Sequence, residues 1–265
     1  MNFSTLLGFC FAAGVLYFGV FGSAPNPHIF MDPHALILVM GGTVTVSLIS
    51  FPIKKLFGIM RHFFRVVFLR KHVDNKKLVQ SIVEAAAVAK ANPPALTAQK
   101  GPHPFLTEAF QMVGEGVLGE ADLFEVLSQR SSLFKASYAQ DAKVFQALSK
   151  YPPAFGLLGA VTGMIAMMMK LGTSNSEAIG AAMGIALIAT FWGIATANLL
   201  LLPLADFYGK LATDDAYQRS LIVEGAMMLK RRESPIVITE KLNSFLSMDQ
   251  RISSPGFSEP GKRAA

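Results

Sequence analysis

Four apolar runs, each close to the length that crosses a bilayer, constrain this chain more than any other feature. They extend roughly from Phe3 to Gly22, His34 to Phe51, Pro152 to Leu171 and Ala178 to Leu202. A helix needs about 20 residues to span the hydrocarbon core. None of the runs contains Asp, Glu or Arg, and Lys170 stands at the edge of the third, where its stem lets the ammonium reach the interface. Charged residues make up 16% of the chain, against about a quarter in a soluble domain. The sequence therefore predicts an all-α integral membrane protein with four transmembrane helices. Pro25 and Pro27 break the chain after the first run, Pro52 ends the second, and Pro203 is expected to close the fourth. The first run lacks a basic leader and a second run follows closely, so it is expected to be retained as a span.

Lysine and arginine set the orientation. Lys54, Lys55, Arg61, Arg65, Arg70, Lys71, Lys76 and Lys77 follow the second run, and Lys210, Arg219, Lys230, Arg231 and Arg232 follow the fourth. The connection between the first two runs has no Lys or Arg. Positive charge marks cytoplasmic loops, which puts both termini in the cytoplasm. The net charge of +6 then belongs beside lipid headgroups, and no nucleic acid is implied. The expected organisation is a transmembrane hairpin over 1–52, a helical cytoplasmic domain over 53–151, two further spans over 152–205, and a cytoplasmic C-terminal helix with a tail over 206–265.

The cytoplasmic part reads as helix. Lys54 to Lys71 mixes basic and large apolar residues, which fits a helix at the membrane surface or a continuation of the second span. Lys76 to Asn92 is Ala-rich and stops at Pro93-Pro94. Residues 95–104 read as a loop and Phe105 to Val117 as a short helix. Glu120 to Tyr151 reads as one long helix aimed at the third span, with Leu123, Phe124, Leu127, Leu133, Phe134, Val144, Phe145 and Leu148 as its apolar positions. The tail from Ser253, rich in Ser, Pro and Gly, is expected to be disordered.

A proton path through a membrane normally needs an ionisable side chain in the bundle. These runs have none, so the chain either moves no ion or borrows a carboxylate from a partner. Gly156, Gly159, Ala160 and Gly163 form a stripe of small residues on the third run, and Ala182, Ala186, Thr190, Gly193 and Ala197 form one on the fourth. Such stripes let helix backbones approach; they serve packing within one chain or a ring whose lumen admits a partner helix. Thr190 and Asn198 read as interhelical hydrogen bonds or as a site. Pro153 and Pro203 read as helix boundaries or as hinges. The five histidines lie at loops or membrane edges and read as solvated. No nucleotide loop, metal-ligand cluster or catalytic constellation is present, so no enzyme, metal or cofactor is expected, and a structural membrane scaffold is the plainest alternative to transport.

The segment Tyr151-Pro152-Pro153-Ala154-Phe155-Gly156-Leu157-Leu158-Gly159-Ala160-Val161-Thr162-Gly163 resembles the opening of the third span in the MotA/PomA family of flagellar stator subunits. Leu187 to Gly193, Asn198 to Asp206 and Leu221 to Gly225 resemble that family's fourth span, its exit and its tail motif. Thr5 to Gly8, Asp32 and Ile37 to Thr43 resemble the first two spans and the acidic position between them. The likeness covers nearly the whole chain.

The resemblance implies a ring of subunits, a pentamer in the family picture, around a MotB/PomB-like single-span, peptidoglycan-binding partner whose aspartate carries the ion. It makes Thr190 and Ala160 part of the ion path, and Pro153 and Pro203 couplers of ion binding to motion. Gly156, Gly159, Gly163, Ala186, Gly193 and Ala197 become packing positions for the pore and partner helix. Sodium-driven members carry threonine where this chain has Ala160, and threonine oxygens can replace sodium's hydration, so proton coupling is expected. Lys90 falls near the basic position that engages the rotor switch protein. The acidic position after it has no counterpart in residues 95–102, and Glu108 and Glu115 are the stand-ins. An ExbB/TolQ-like energiser of an outer-membrane system is the alternative within the same chemistry, and its usual three spans with an outside N-terminus separate it from this pattern.

Overall fold

The computed structural model describes residues 3–22, 27–69, 73–171 and 176–253. The expected disordered tail lies outside the described residues from position 254 onward. Every regular element among the described residues is helical. The chain divides into two units, Met1–Lys71 with Ala139–Gly209, and His72–Tyr138 with Lys210–Ala265.

The first unit begins with α1 (Phe3–Phe21) and a tight 3-10 turn over Pro27–Met31. Asp32 then caps α2 (Pro33–Leu36), its carboxylate accepting the Ala35 backbone N–H at 3.0 Å. A wide π-type turn, Ile37–Gly41, leads into α3 (Gly42–Ser50). Thr43 and Ser47 are buried in this apolar run, and each hydroxyl donates to the carbonyl one turn back, Val39 and Thr43 respectively, at 2.6 Å. This satisfies the hydroxyls locally at little cost to the helix. Phe51 is fully extended (φ −137°, ψ 141°), as the residue before a proline prefers to be, and α4 (Ile53–Leu69) starts beyond it. The helix direction therefore breaks at Phe51-Pro52, and α4 is not a continuation of α3.

The rest of that unit is the C-terminal part of α7 (Glu120–Leu148), then α8 (Tyr151–Lys170), α9 (Ser176–Thr196), a second π-type turn over Ala197–Leu201, and the start of α10 (Leu202–Lys230). The expected single helix from Glu120 to Tyr151 is interrupted at Ser149-Lys150. Pro152 and Pro153 lack the N–H groups that would carry it straight on. Pro203 does not close the fourth helix, contrary to expectation, because α10 runs through it. The missing donor and the ring clash are taken up by the wide turn just before it, where the Leu202 N–H reaches back five residues to the Ala197 carbonyl. The start of α10 is fixed by Tyr208, wholly buried, whose hydroxyl donates to the Ile59 carbonyl at 2.8 Å and whose ring stacks on Phe145.

The second unit comprises α5 (Asn75–Ala91), a 3-10 segment over Pro93–Ala98, α6 (Pro104–Glu115), the N-terminal part of α7, most of α10 and α11 (Pro235–Asn243). Part of the expected 95–104 loop is thus helical. Its core is apolar and continuous: Leu78 and Ile82 of α5, Leu106 and Phe110 of α6, Leu123 and Leu127 of α7, Leu221, Ile222, Met228 and Leu229 of α10, and Ile238 and Leu242 of α11. Gly116 ends α6 with φ 70°, a left-handed conformation that glycine adopts without strain. Phe124, Leu133 and Phe134, read from the sequence as apolar positions alongside Leu123 and Leu127, are exposed. Leu123 and Leu127 alone of this set join the core of the second unit. Beyond α11, the Asn243 amide accepts from the Ile252 N–H at 2.9 Å and donates to its carbonyl at 2.8 Å, holding the end of the described chain.

Three helical runs among the described residues are long and apolar enough to cross a membrane, within Pro33–Ser50, Glu120–Lys170 and Ile179–Lys230, and Leu7–Val20 is a shorter apolar helix.

Candidate functional site

The small-residue stripes meet each other. A Cβ built on Gly156 would fall 2.9 Å from the Ala189 carbonyl, on Gly159 2.4 Å from the Ala189 methyl, on Gly163 2.7 Å from the Ala186 methyl, and on Gly193 2.6 Å from the Pro152 carbonyl. These separations are below any van der Waals contact, so only glycine lets α8 and α9 come this close. The seam therefore packs the two helices within one chain, and Gly156, Gly159, Gly163, Ala186 and Gly193 spend their small size there. The volume left by the absent side chains is filled by the facing helix.

Polar groups at the seam are few. The Thr190 hydroxyl donates to the Ala186 carbonyl on its own helix at 3.0 Å and sits 3.5 Å from the Gly156 carbonyl across the seam. Ala160, half-buried, lies one turn beyond Gly156. Ala197 is buried at the start of the second π-type turn, and Asn198 beside it is exposed, its amide donating to the Ile194 carbonyl at 3.0 Å. Pro153 is half-buried at the start of α8, and Pro203 half-buried just after the wide turn. The outer side of α9 is anchored by Trp192, whose indole N–H donates to the Phe30 carbonyl at 2.7 Å. Ala35 and Val39 pack on Ile188 and Ala189 beneath it. Along α8 and α9 the charged residues are Lys170, at one end, and Glu177, in the first turn of α9. The seam thus offers a threonine oxygen and backbone carbonyls but no proton-carrying side chain, and no group of side chains suited to a metal occurs among the described residues.

The three residues expected to face a rotor lie in the second unit. Lys90 is exposed in the last turn of α5, and Glu115 is exposed at the end of α6. Glu108 is half-buried and paired with Arg130 of α7. The sequence reading missed a buried charged cluster nearby in the fold. Asp215 accepts from the Arg219 guanidinium at 2.5 Å, and His103 Nε2 stands 3.5 Å from its other oxygen. Arg219 also lies over the rings of Phe105 and Phe134. His103 is 3% exposed, not solvated as expected. Its Nδ1 accepts the Phe105 N–H at 3.1 Å and so caps α6. A histidine directly before a proline at a helix start was the available signal. In the first unit, burial pushes the Asp141 carboxyl of α7 above its ordinary value of 3.8, with the charges of Lys55 and His62 pulling the other way.

Residues 97–220, which hold the α6 cap, the seam and the buried ion pair, match the model of the MotA/TolQ/ExbB proton channel family. The chain is 28% identical to chemotaxis protein PomA of Vibrio alginolyticus, over 95% of this chain and 98% of PomA. It is 26% identical to motility protein A of Bacillus subtilis, over 99% of this chain and 96% of the relative. Its fold matches the MotAB structure of C. jejuni with TM-score 0.83 at 24% identity, covering 96% of this chain and 99% of that one. It matches the flagellar MotAB stator complex of Bacillus subtilis with TM-score 0.84 at 24% identity, covering 94% and 98%. Together with the apolar helices, these likenesses indicate an inner-membrane protein.

Proposed function

We propose that this chain is the ion-conducting stator subunit of a bacterial flagellar motor, completed by a single-span partner of the MotB/PomB kind. One observation carries the reading: the α8–α9 seam is tightly built, offers oxygen ligands at Thr190, and lacks any titratable side chain between Lys170 and Glu177 at one end and Pro152 and Pro203 at the other. A charged proton carrier at mid-membrane is costly and is placed only where it works, so a channel without one takes it from another subunit. The end-to-end match to PomA and motility protein A supports the stator over the TolQ/ExbB branch.

In this reading four helices span the membrane with both termini in the cytoplasm, and copies of the chain form a ring. The seam glycines hold each α8–α9 wall thin, while Ala160, Thr190 and Ala197 border the space for the partner helix. Pro153 and Pro203 convert ion binding into movement, and Lys90 with Glu108 and Glu115 engages the rotor. A methyl at Ala160 gives no ligand to sodium, which supports proton coupling.

Reconstitution tests the proposal. Vesicles holding this chain alone are expected to keep a pH gradient, and vesicles holding it with the partner are expected to dissipate it. Robust proton flux through the chain alone overturns the reading. Swimming speed in the native strain is expected not to follow sodium, and Ala160→Thr is the variant in which sodium dependence is sought.

A further inference from the structure

The helix α4 has three distinct faces, and two of them are open. Ile59, His62 and Phe63 turn inward. The Ile59 carbonyl accepts the Tyr208 hydroxyl, His62 lies against the Tyr208 ring, and Phe63 meets the edges of Phe9 and Phe207. Ile53, Phe57 and Met60, spaced four and three residues apart, form one row and are 55%, 74% and 41% exposed. Lys54 and Arg61 form a second exposed row roughly a quarter turn further round the helix. The sequence contains no acidic residue between Asp32 and Asp74, so nothing on this stretch neutralises the two cations. The extended Phe51 and Pro52 turn α4 out of the line of α3.

We propose that this open side of α4 is a binding site for anionic phospholipid, in which the Ile53–Phe57–Met60 row enters the acyl region and Lys54 and Arg61 hold the phosphodiester headgroup. An apolar row dipping below the headgroups with cations beside it is the arrangement that keeps an amphipathic helix in a membrane surface. Cations near an anionic leaflet each gain on the order of 1 kcal/mol, a factor of about five. The apolar row alone would accept any lipid, and the basic row alone any anion. Their adjacency on one rigidly anchored helix selects a lipid that carries negative charge. The inference deepens the membrane reading above and is independent of ion flux or torque.

The test uses the purified full-length chain in phosphatidylcholine vesicles with spin-labelled phosphatidylglycerol or spin-labelled phosphatidylcholine, reading the motionally restricted lipid fraction of each. Wild type is expected to favour phosphatidylglycerol, with the preference falling as salt screens the charges. Lys54→Gln with Arg61→Gln is expected to lose the preference by about five-fold or more, and Lys54→Arg with Arg61→Lys to keep it. Lys76→Gln with Lys77→Gln removes the same charge from exposed positions on α5 and is expected to behave as wild type. Equal preference in wild type and the first variant overturns the proposal, as does an equal loss in the α5 control. A Phe57→Cys variant that cross-links efficiently to a second copy also overturns it, because the row is then covered by protein. The vesicles hold both headgroups on both sides, so an error in topology leaves the readout unchanged. A failed flux experiment likewise leaves this result standing.

Discussion

At the scale of single residues, the closest contacts sit where side chains are missing. Gly159 has a methyl of Ala189 where its own Cβ would be, 2.4 Å away. Leucine there must push α9 aside, and overpacking of this kind costs about 1–3 kcal/mol. Gly159→Leu is therefore expected to lower the melting temperature in detergent, whereas Gly184→Ala, with open space at its Cβ position, is expected to leave it unchanged. Asp141 makes the opposite case. Burial raises its pKa above 3.8, so the folded chain binds a proton more tightly than the unfolded one. Its contribution to stability is present in acid and lost as pH rises through the raised value. Asp141→Asn is expected to be more stable than wild type at neutral pH, the gap closing as pH falls toward 3.8, and thermal melts across pH check the sign. The seam glycines were legible in the sequence because their three- and four-residue spacing marks one helix face. Asp141 was not, because its environment comes from α4, distant in sequence, and no local pattern encodes it.

At the scale of elements, the sequence located the helices better than their joints. Apolar runs and prolines placed α5, α8 and the run from α2 through α3 within a residue or two, since periodicity and missing N–H groups act locally. Pro203 misled because a proline ends a helix only when nothing absorbs its clash, and the five-residue turn Ala197–Leu201 does absorb it. That gives a prediction at this scale. Pro203→Ala restores the donor, and the wide turn is expected to tighten toward α-helical bonding, read as stronger hydrogen-exchange protection over 197–203. If the turn is the hinge, motility falls by an order of magnitude or more while the amount of protein in the membrane stays the same. Unchanged motility with a tightened turn removes the hinge role. The α6 cap by His103 escaped the sequence reading for a related reason: histidine is an uncommon cap, and its burial depends on Asp215 and Arg219 arriving from α10.

At the scale of the whole molecule, the likeness to the channel family and the membrane character were legible because apolar length and motif order survive wide sequence divergence. The surface proposed to engage a rotor is less legible, since Glu108 and Glu115 are tied to no motif and Glu108 is engaged by Arg130. Orientation is the property that separates the stator from its three-span relatives. A periplasm-active reporter fused before Phe3 is expected to be silent, and a cytoplasm-active one to report; the reverse result would place the N-terminus outside. The two wide turns carry one more consequence. Each of Ile37–Gly41 and Ala197–Leu201 houses one residue more than an α-helical turn needs. They mark the places where the chain length can shrink by one amino acid without rotating the downstream helix. A deletion there turns a loose coil into a regular one and keeps every later side chain in phase. The same deletion in the middle of α9 would swing the remainder by about 100° and unseat the glycines from their partners.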